Sequence, residues 1–512
     1  MVEHYKWKSY DFDSSNSVEI FNLFKDEPFV FFLDSSLPRQ QSRVTAGLGG
    51  ISLHEVPKSK IPRPLGHGAS QTDPQGRFSF IGFDPFYIFQ DKGNNSLEDL
   101  RTCFQRYASY FQERTKDIPV PLFSGMVGYL GYDLGLRLEK IKLQAQDDLL
   151  IPDCFFGFYD CVIAIDHLAH KLYIISTGLP EKNPSLIERR AEERLAKITR
   201  KLSKYSIKNN EIFSFDSPPL SNGENFDLDL SCNFTQEMYF KTVKRALEYI
   251  RNGDIYQVNL AQRFLFDTTR HDFEINSTDL YNSLRRLSPS NFSGYLDCGD
   301  FQILSSSPER FLKLSDGIVE TRPMKGTRAR GQSLKEDKRL KREILSSKKD
   351  KAELLMITDL ERNDLGRVCR YGSIKVRKMR TLEEYKTVFQ TTSTVTGILQ
   401  KNKDCFDVIE ACFPGGSVTG CPKIRAMEII EELEPTRRAF YTGSMGYINF
   451  CGEMDFNVLI RTLLVKDEKI FFHVGSGIVA DSTPEDEYEE TLIKSKALRQ
   501  AISAVLHSKI EV

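Results

Sequence analysis

Two short segments, Ser307-Pro308-Glu309-Arg310 and Glu320-Thr321-Arg322-Pro323-Met324-Lys325-Gly326-Thr327-Arg328, place a carboxyl group and a lysine close together in the chain. Arginines precede and follow the lysine, and nearby cations lower the pKa of an amine, so we expect Lys325 to be a neutral nucleophile near pH 7. Glu309 is a candidate proton donor for an oxygen leaving group. The same residues also suit a charged β-hairpin with a solvated lysine, and these segments alone leave both interpretations open.

The composition narrows the class of protein. The 512 residues include 70 Lys and Arg and 71 Asp and Glu, which gives a formal net charge of −1. This balance argues against binding to nucleic acid or to a membrane surface. No apolar run approaches the roughly 18 residues that span a bilayer, and the N-terminus lacks a signal-peptide pattern. The ten cysteines have no metal-binding spacing, so we expect reduced thiols in a cytoplasmic protein.

The length predicts two lobes, or one large domain with an N-terminal partner. Residues 1–205 contain apolar runs typical of strands, interrupted at 36–75 by a Pro-, Gly- and Ser-rich stretch that we interpret as a loop insertion. Residues 206–231 are polar and form the best linker candidate. The motifs accumulate in residues 232–508, so this region is predicted to be catalytic.

Helix and strand patterns alternate along the chain without a simple repeat. We expect helices over 185–202, over 238–250, from about 335 to 356, and after 482–486. The predicted fold class is α+β with large mixed or antiparallel sheets.

The last of these helices carries a pattern of charged residues. Glu487, Glu490 and Lys494 are spaced three and four apart and share one face. Two carboxylates on one face, with Glu353 as a third ligand, would suit Mg²⁺. Taken alone, the spacing fits an exposed helix with a Glu–Lys pair better.

Three further features suggest binding of an anion. Gly475 and Gly477 let backbone N–H groups approach an anion near a helix start, although a tight turn explains them equally well. The loop 413–423 contains Gly415, Gly416 and Ser417 but lacks the spacing of a phosphate-binding P-loop. Arg461 lies in a segment interpreted as an apolar strand, where a buried arginine needs a carboxylate partner or ligand.

The order of these motifs resembles the chorismate-utilising enzymes. The segments that carry the resemblance are 253–260, the Lys325 segment, 355–366, the Gly415-Gly416 loop and 487–491. The resemblance covers about residues 232–506, and extends weakly to 33–35, 76–82 and 125–129. It implies two large mixed or antiparallel β-sheets that face each other, with helices outside.

Two positions separate the members of that family. Isochorismate and salicylate synthases have a lysine where this chain has Gln257, and anthranilate synthases have an alanine where it has Lys325. The pair Gln257 and Lys325 is similar to the synthase component of aminodeoxychorismate synthases, which aminate C4 of chorismate. Gln390 departs from the pattern, because many relatives have a histidine there.

The resemblance implies a role for each site residue. Lys325 would be the nucleophile and Glu309 the general acid. Substrate binding is assigned to Arg461, Tyr441, Gly326, Thr327, Ser417, Gly475, Gly477, Lys494 and Gln390. Mg²⁺ would be held by Glu353, Glu487 and Glu490.

The resemblance also implies partners. Ammonia would come from a separate glutamine amidotransferase subunit, since no glutaminase motif occurs in the chain. Ser35, Asn291, Phe292 and Ser293 resemble a tryptophan pocket, which is structural in some members and a feedback site in others. Two alternatives stay open: anthranilate synthase component I, and a non-catalytic regulatory subunit that binds chorismate or tryptophan.

Overall fold

The computed structural model describes residues 5–12, 17–35, 76–111, 118–208, 228–271, 274–331, 333–384 and 388–510. These residues form two large β-sheets with helices packed on them. The predicted loop insertion 36–75 and most of the predicted linker 206–231 lie outside the described residues.

The described strands are β1 (Lys6–Asp11), β2 (Phe31–Asp34), β3 (Phe78–Gly82), β4 (Tyr87–Asp91), β5 (Gly125–Leu130), β6 (Cys154–Tyr159), β7 (Cys161–Asp166), β8 (Lys171–Ser176), β9 (Leu230–Cys232), β10 (Gln257–Asp267), β11 (Phe292–Asp297), β12 (Phe301–Ser307), β13 (Arg310–Ser315), β14 (Ile318–Arg322), β15 (Met324–Ala329), β16 (Lys375–Glu384), β17 (Val388–Ile398), β18 (Gly420–Cys421), β19 (Ser444–Asn449), β20 (Met454–Asn457), β21 (Thr462–Lys466) and β22 (Lys469–Ile478). The described helices are α1 (Ser17–Phe24), α2 (Ser96–Ala108), α3 (Tyr132–Leu138), α4 (Pro184–Lys208), α5 (Gln236–Arg251), α6 (Ser277–Leu287), α7 (Leu334–Ser346), α8 (Lys348–Gly366), α9 (Cys405–Cys412), α10 (Lys423–Leu433) and α11 (Pro484–Ile510).

Strands from both ends of the sequence build each sheet. The twelve-stranded sheet has the order β1-β8-β7-β3-β2-β11-β12-β21-β22-β10-β18, with β9 also paired to β10. The ten-stranded sheet has the order β15-β17-β14-β13-β20-β19-β5-β6-β4, with β16 also paired to β17. The strand pairs described in these sheets are antiparallel. The predicted regions 1–205 and 232–508, with 206–231 between them, are therefore separate in sequence only. Strands of the first and the last region lie side by side in each sheet.

The largest apolar core lies between the two sheets. Phe31 of β2 meets Tyr159 of β6 edge to face, with ring centroids 4.7 Å apart. Phe155 of β6 meets Phe301 of β12 in the same way at 6.4 Å. The predicted α+β class with two facing sheets is confirmed, and the sheets are antiparallel.

Helices pack on both sheets. Helices α4, α6 and α11 contact the twelve-stranded sheet, and α2, α7 and α8 contact the ten-stranded sheet. No helix of the described ranges is long and apolar enough to cross a bilayer.

Local sequence signals account for most helix boundaries. Thr235 precedes α5, and its hydroxyl accepts the Met238 N–H at 3.2 Å. Thr483 does the same for Asp486 at the start of α11, at 3.2 Å. The single helix predicted from about 335 to 356 is wrong, because Ser347 separates α7 from α8 and accepts the Asp350 N–H at 3.1 Å. A serine at that position starts a new helix.

One buried ion pair connects the segments that later form the site. Arg438 is 2% exposed and Glu434 is 5% exposed, and Arg438 Nη2 lies 2.6 Å from Glu434 Oε1. Arg438 also donates to the carbonyl of Asn259 in β10 at 2.6 Å and to the carbonyl of Val418 at 3.0 Å. Glu434 accepts the N–H of Ala261 in β10 at 2.9 Å. The pair therefore ties β10 to the loop that contains Val418.

Replacing Arg438 with Met should lower the free energy of unfolding by about 3–5 kcal/mol, because it leaves Glu434 buried without its cation. Urea unfolding followed by circular dichroism measures the loss. Arg425→Met is the control: Arg425 pairs with Asp254 and its side chain is 36% exposed, so its loss should cost about 0–1 kcal/mol. Equal losses in the two variants would contradict the role assigned to Arg438.

Candidate active site

A bulge in an edge strand presents Lys325. In β15, Lys325 pairs with Thr391 and Thr327 pairs with Gln390, so Gly326 is an extra residue. Gly326 has a φ of +73°, which favours glycine. A Cβ atom at position 477 would lie 3.6 Å from the Nζ of Lys325. Lys325 therefore extends from the ten-stranded sheet to β22 of the other sheet.

The surroundings of Lys325 favour a neutral amine. Burial lowers its pKa most, and the positive charge of Lys494 lowers it further. The carboxylates of Glu353, Glu309 and Glu490 act in the opposite direction, but the pKa remains below its ordinary value. The structure thus brings Lys325 together with four of the predicted site residues.

Lys494, and not one of the arginines near Lys325 in sequence, is the cation that lowers the pKa of Lys325 most. Arg322 pairs with Glu383 at 2.5 Å, and Arg328 pairs with Glu343 at 3.0 Å. Both guanidinium groups are thus engaged by carboxylates.

Glu309 lies between β12 and β13 and is 4% exposed. Burial raises its pKa to about 7, although the Ser417 hydroxyl, Lys325 and the Met324 N–H each act to lower it. Ser417 Oγ donates to Glu309 Oε1 at 2.6 Å. A carboxyl group of this pKa beside a buried amine can act as a proton donor near neutral pH.

Gly475 and Gly477 lie inside strand β22, so the prediction of a turn or a helix start is wrong. Gly477 pairs with Asn259 and Gly475 pairs with Ala261 of β10. A Cβ at position 477 would lie 3.0 Å from Gln257 Nε2, and one at position 475 would lie 2.9 Å from the Tyr441 hydroxyl. The glycines leave room for neighbouring polar side chains, a role that their sequence spacing does not reveal.

Two buried amides contribute polar atoms near the lysine strand. Gln257 is 1% exposed and Gln390 is 3% exposed. Gln390 Nε2 donates to the Thr327 hydroxyl at 3.3 Å. Within the described part of the chain, the Oε1 atoms of both glutamines lack a hydrogen-bond partner. Because buried polar atoms are nearly always paired, these oxygens are available to accept from a ligand or from water.

Arg461 lies in the connection between β20 and β21, so its placement in an apolar strand is wrong. Its φ of +51° is unusual for arginine and bends the chain there. The preceding apolar residues bond to other segments: the Val458 N–H donates to the Glu309 carbonyl at 3.1 Å, and the Leu459 N–H donates to the Gly443 carbonyl at 2.8 Å. Arg461 is half-buried and is the last residue of this connection before β21.

Tyr441 is 3% exposed, and burial raises the pKa of its hydroxyl. A hydrogen bond to Asn259 acts in the opposite direction. Sequence reasoning missed Asn259, although it lies two residues after Gln257 on β10 and so shares its face. The alternation of side chains along a strand could therefore have identified Asn259 as a site residue.

The three predicted metal ligands differ in their surroundings. Glu353 on α8 is half-buried, and the charge of Glu490 is among the causes that raise its pKa, after burial. Glu490 pairs with Lys494 at 2.8 Å, and Lys494 also donates to the Gly475 carbonyl at 2.8 Å. Glu487 is 4% exposed and accepts hydrogen bonds from Ser482, at 2.5 Å, and from Ser476.

Within the described ranges, no group of three or more His, Cys, Asp or Glu side chains is placed so that it could hold a metal ion. Glu353 and Glu490 still offer two carboxylates, and Mg²⁺ is usually bound by one or two carboxylates with waters and substrate oxygens. Glu353 and Glu490 are thus the two donors compatible with Mg²⁺, Glu487 is already bound by two serines, and binding of the metal stays a prediction.

The residues predicted for a tryptophan pocket border a separate cavity of about 100 Å³. Asn291, Phe292 and Ser293 line it, and Ser35 lies beside it against Gly76. Arg310 covers the Phe292 ring at 4.9 Å. The cavity is smaller than the roughly 300 Å³ of ordinary ligand pockets. Binding of tryptophan stays a prediction.

A buried amine, a buried carboxyl group and two further carboxylates interact with one another, and such a set of groups suits nucleophilic or acid–base chemistry. A family model described as chorismate binding enzyme matches residues 68–500. The chain therefore belongs to the chorismate binding enzyme family and acts on chorismate.

Individual relatives carry two different names. Anthranilate synthase component 1 from Acetivibrio thermocellus is 37% identical over 440 residues, which cover 83% of this chain and 87% of that protein. Aminodeoxychorismate synthase component 1 from Escherichia coli (strain K12) is 38% identical over 452 residues, which cover 85% of this chain and 92% of that protein. The crystal structure of anthranilate synthase component I from Streptococcus pneumoniae TIGR4 matches with a TM-score of 0.69 and 29% identity, covering 86% of this chain and 95% of that one.

Gly477→Ala should weaken chorismate binding about 10-fold, because a Cβ 3.0 Å from Gln257 Nε2 crowds the site. Isothermal titration calorimetry with chorismate measures the dissociation constant. Gly366→Ala is the control, since its Cβ would meet only Ile374 at 3.9 Å. An unchanged constant for Gly477→Ala would show that this face of β22 does not contact the substrate.

Proposed function

We propose that this chain is the synthase component of an aminodeoxychorismate synthase, which converts chorismate and ammonia to 4-amino-4-deoxychorismate. The observation that supports this activity is the buried amine of Lys325 beside both Glu309 and Gln257. An amide cannot deprotonate water, so Lys325 is the nucleophile that the site offers. The product would serve the synthesis of p-aminobenzoate and folate.

The reaction would proceed by two displacements. The neutral amine of Lys325 attacks C2 of chorismate, both ring double bonds shift, and the C4–O bond breaks as Glu309 gives its proton to the departing hydroxyl. Ammonia then forms a bond to C4, both double bonds shift back, and the C2–N bond to Lys325 breaks, which returns the neutral amine. Glu309, now ionised, accepts the proton that the new C4 ammonium group releases.

The remaining residues would hold the substrate, which carries two carboxylates. Arg461 and Tyr441 are assigned to one carboxylate, beside Gly475 and Gly477. Glu353 and Glu490 would hold Mg²⁺, with the buried Glu487 fixing the start of α11 through its serine partners. When bound, the metal would neutralise negative charge of the second carboxylate.

Three more residues are given supporting roles. Ser417 orients Glu309 by its hydrogen bond. Thr327 and Gln390 are joined by a hydrogen bond at 3.3 Å next to the Gly326 bulge. Gln390 can orient the departing hydroxyl but cannot transfer a proton at neutral pH. Glu309 therefore carries the whole of the proton transfer in this proposal.

Ammonia would be supplied by a separate glutamine amidotransferase subunit, in a heterodimer with this chain. The second candidate activity is that of anthranilate synthase component I, which the name of the Acetivibrio thermocellus relative favours. Lys325 argues against it, as an alanine is expected there. A non-catalytic regulatory subunit is disfavoured because Lys325, Glu309, Glu353 and Glu490 form one site.

Lys325→Ala should remove nearly all C4 amination, because the first displacement loses its nucleophile. The purified chain is incubated with chorismate, Mg²⁺ and ammonium, and the product is identified by mass spectrometry. Lys351→Ala, an exposed position on α8, is the matched control. Full retained amination in Lys325→Ala would rule out the covalent route, and anthranilate from the unaltered chain would favour the second candidate.

The amination rate should fall as the pH rises through about 7, because the protonated form of Glu309 is the donor and its pKa is raised to about 7. On the acidic side the rate should rise with pH, since Lys325 must lose its proton. Glu309→Gln should lose about 100-fold or more in kcat, as an amide donates no proton to the leaving hydroxyl. A pH–rate profile of kcat tests both limbs, and an alkaline limb unchanged in Glu309→Gln would assign the donor elsewhere.

A further inference from the structure

Glu361 is a second buried carboxyl group close enough to Glu309 to feel its charge, and the proposed reaction gives it no role. Glu361 of α8 is 2% exposed. Its Oε1 accepts the backbone N–H of Gly416 at 3.1 Å, and its Oε2 accepts the Thr321 hydroxyl at 3.3 Å. Glu361 therefore links α8, strand β14 and the loop that carries Gly416.

The same loop holds the proton donor. Gly416 binds Glu361 through its backbone, and the next residue, Ser417, binds Glu309 through its hydroxyl at 2.6 Å. Two consecutive residues thus contact two buried carboxyl groups. A shift of the loop at Gly416 would be transmitted directly to Ser417 and so to Glu309.

The charges around Glu361 favour its protonated form. Asp364 lies one turn further along α8 and pairs with the buried Lys423 at 2.6 Å. Lys423 also donates to the carbonyls of Cys412 and Pro414. Among the described residues, Glu361 forms no salt bridge. Burial, and then the charge of Asp364, raise the pKa of Glu361 to about 8, while Lys423 and the Gly416 N–H act to lower it and Glu309 to raise it.

We propose that Glu361 is a positioning residue that acts as a neutral carboxylic acid, holding the 416–417 loop so that Ser417 fixes Glu309. This inference rests on the proposed function. A protonated Glu361 still accepts from Gly416 through Oε1, and its other oxygen, as a hydroxyl, can donate to the Thr321 hydroxyl in place of accepting from it. The negative charge that forms on Glu309 when it gives up its proton then develops beside a neutral group. An ionised Glu361 would oppose that charge.

Two substitutions separate the neutral acid from a merely space-filling side chain. Glu361→Gln has the same shape and keeps an acceptor for Gly416 and a donor for Thr321, so kcat at pH 7 should stay close to the wild-type value. Glu361→Ala removes both contacts and should lower kcat about 100-fold with little change in KM, because Glu309 is no longer held in place. Asp359→Asn, on the exposed face of α8, controls for the loss of a carboxylate from this helix.

The pH profile gives a readout that a purely structural role would not move. With both Glu309 and Glu361 required in the protonated form, log kcat of the wild type should approach a slope of −2 well above pH 8, whereas Glu361→Gln should approach −1. Chorismate consumption is the signal, so the comparison does not depend on which product forms. Mass spectrometry of the wild-type product tests the proposed function separately.

Each result decides the matter. A wild-type kcat in Glu361→Ala, a loss in Glu361→Gln as large as in Glu361→Ala, or identical alkaline slopes in the wild type and Glu361→Gln would each overturn the proposal. If circular dichroism shows that Glu361→Ala does not fold, the alkaline slopes of the wild type and Glu361→Gln decide it alone.

Discussion

The buried pair of Arg438 and Glu434 is the contact on which the geometry of the site depends. Two charges removed from water are costly unless hydrogen bonds satisfy their remaining atoms. Here those bonds go to the backbone of β10, at Asn259 and Ala261, and to the carbonyl of Val418. The cost of burying the pair is therefore offset only when β10 and the loop after α9 take their observed positions. Those two segments carry Gln257 and Ser417 into the site.

The candidate site differs from this pair in how its polar atoms are hydrogen-bonded. The guanidinium of Arg438 and the carboxylate of Glu434 are both hydrogen-bonded, whereas near Lys325 the amide oxygens of Gln257 and Gln390 have no partner among the described residues. Burial also drives the pKa values of Lys325 and Glu309 toward each other, downward for the amine and upward for the acid. Burial therefore favours the neutral form of each group relative to its ordinary state in water. The satisfied pair provides the rigid frame, and the unsatisfied groups are left for the substrate.

The sequence predicts what depends on local patterns, and it fails where distant segments meet. The starts of α5 and α11 follow from Thr235 and Thr483, and the nearness of Glu309 to Lys325 follows from one hairpin-sized segment. The position of Gly477 could not be predicted from the sequence. A Gly-x-Gly spacing is the same in a turn and in a strand where neighbouring side chains occupy the space that a Cβ atom would need. The break at Ser347 and the bend at Arg461 were missed because charged helical and apolar runs continue across them. The pairing of β2 with β11 joins residues more than two hundred positions apart, which no local signal specifies.

The charges around Lys325 connect the proposed metal site to the nucleophile. Glu353 and Glu490 raise the pKa of Lys325, while burial and Lys494 lower it. These two carboxylates are the residues proposed to hold Mg²⁺, and a carboxylate whose charge is balanced by a cation stabilises a nearby ammonium group less. Occupation of the site would thus shift Lys325 further toward the neutral amine at the moment when a dianionic substrate, which favours the ammonium form, arrives. On the proposed function, the two carboxylates beside Lys325 would then bind the metal and at the same time lose much of their effect on the amine.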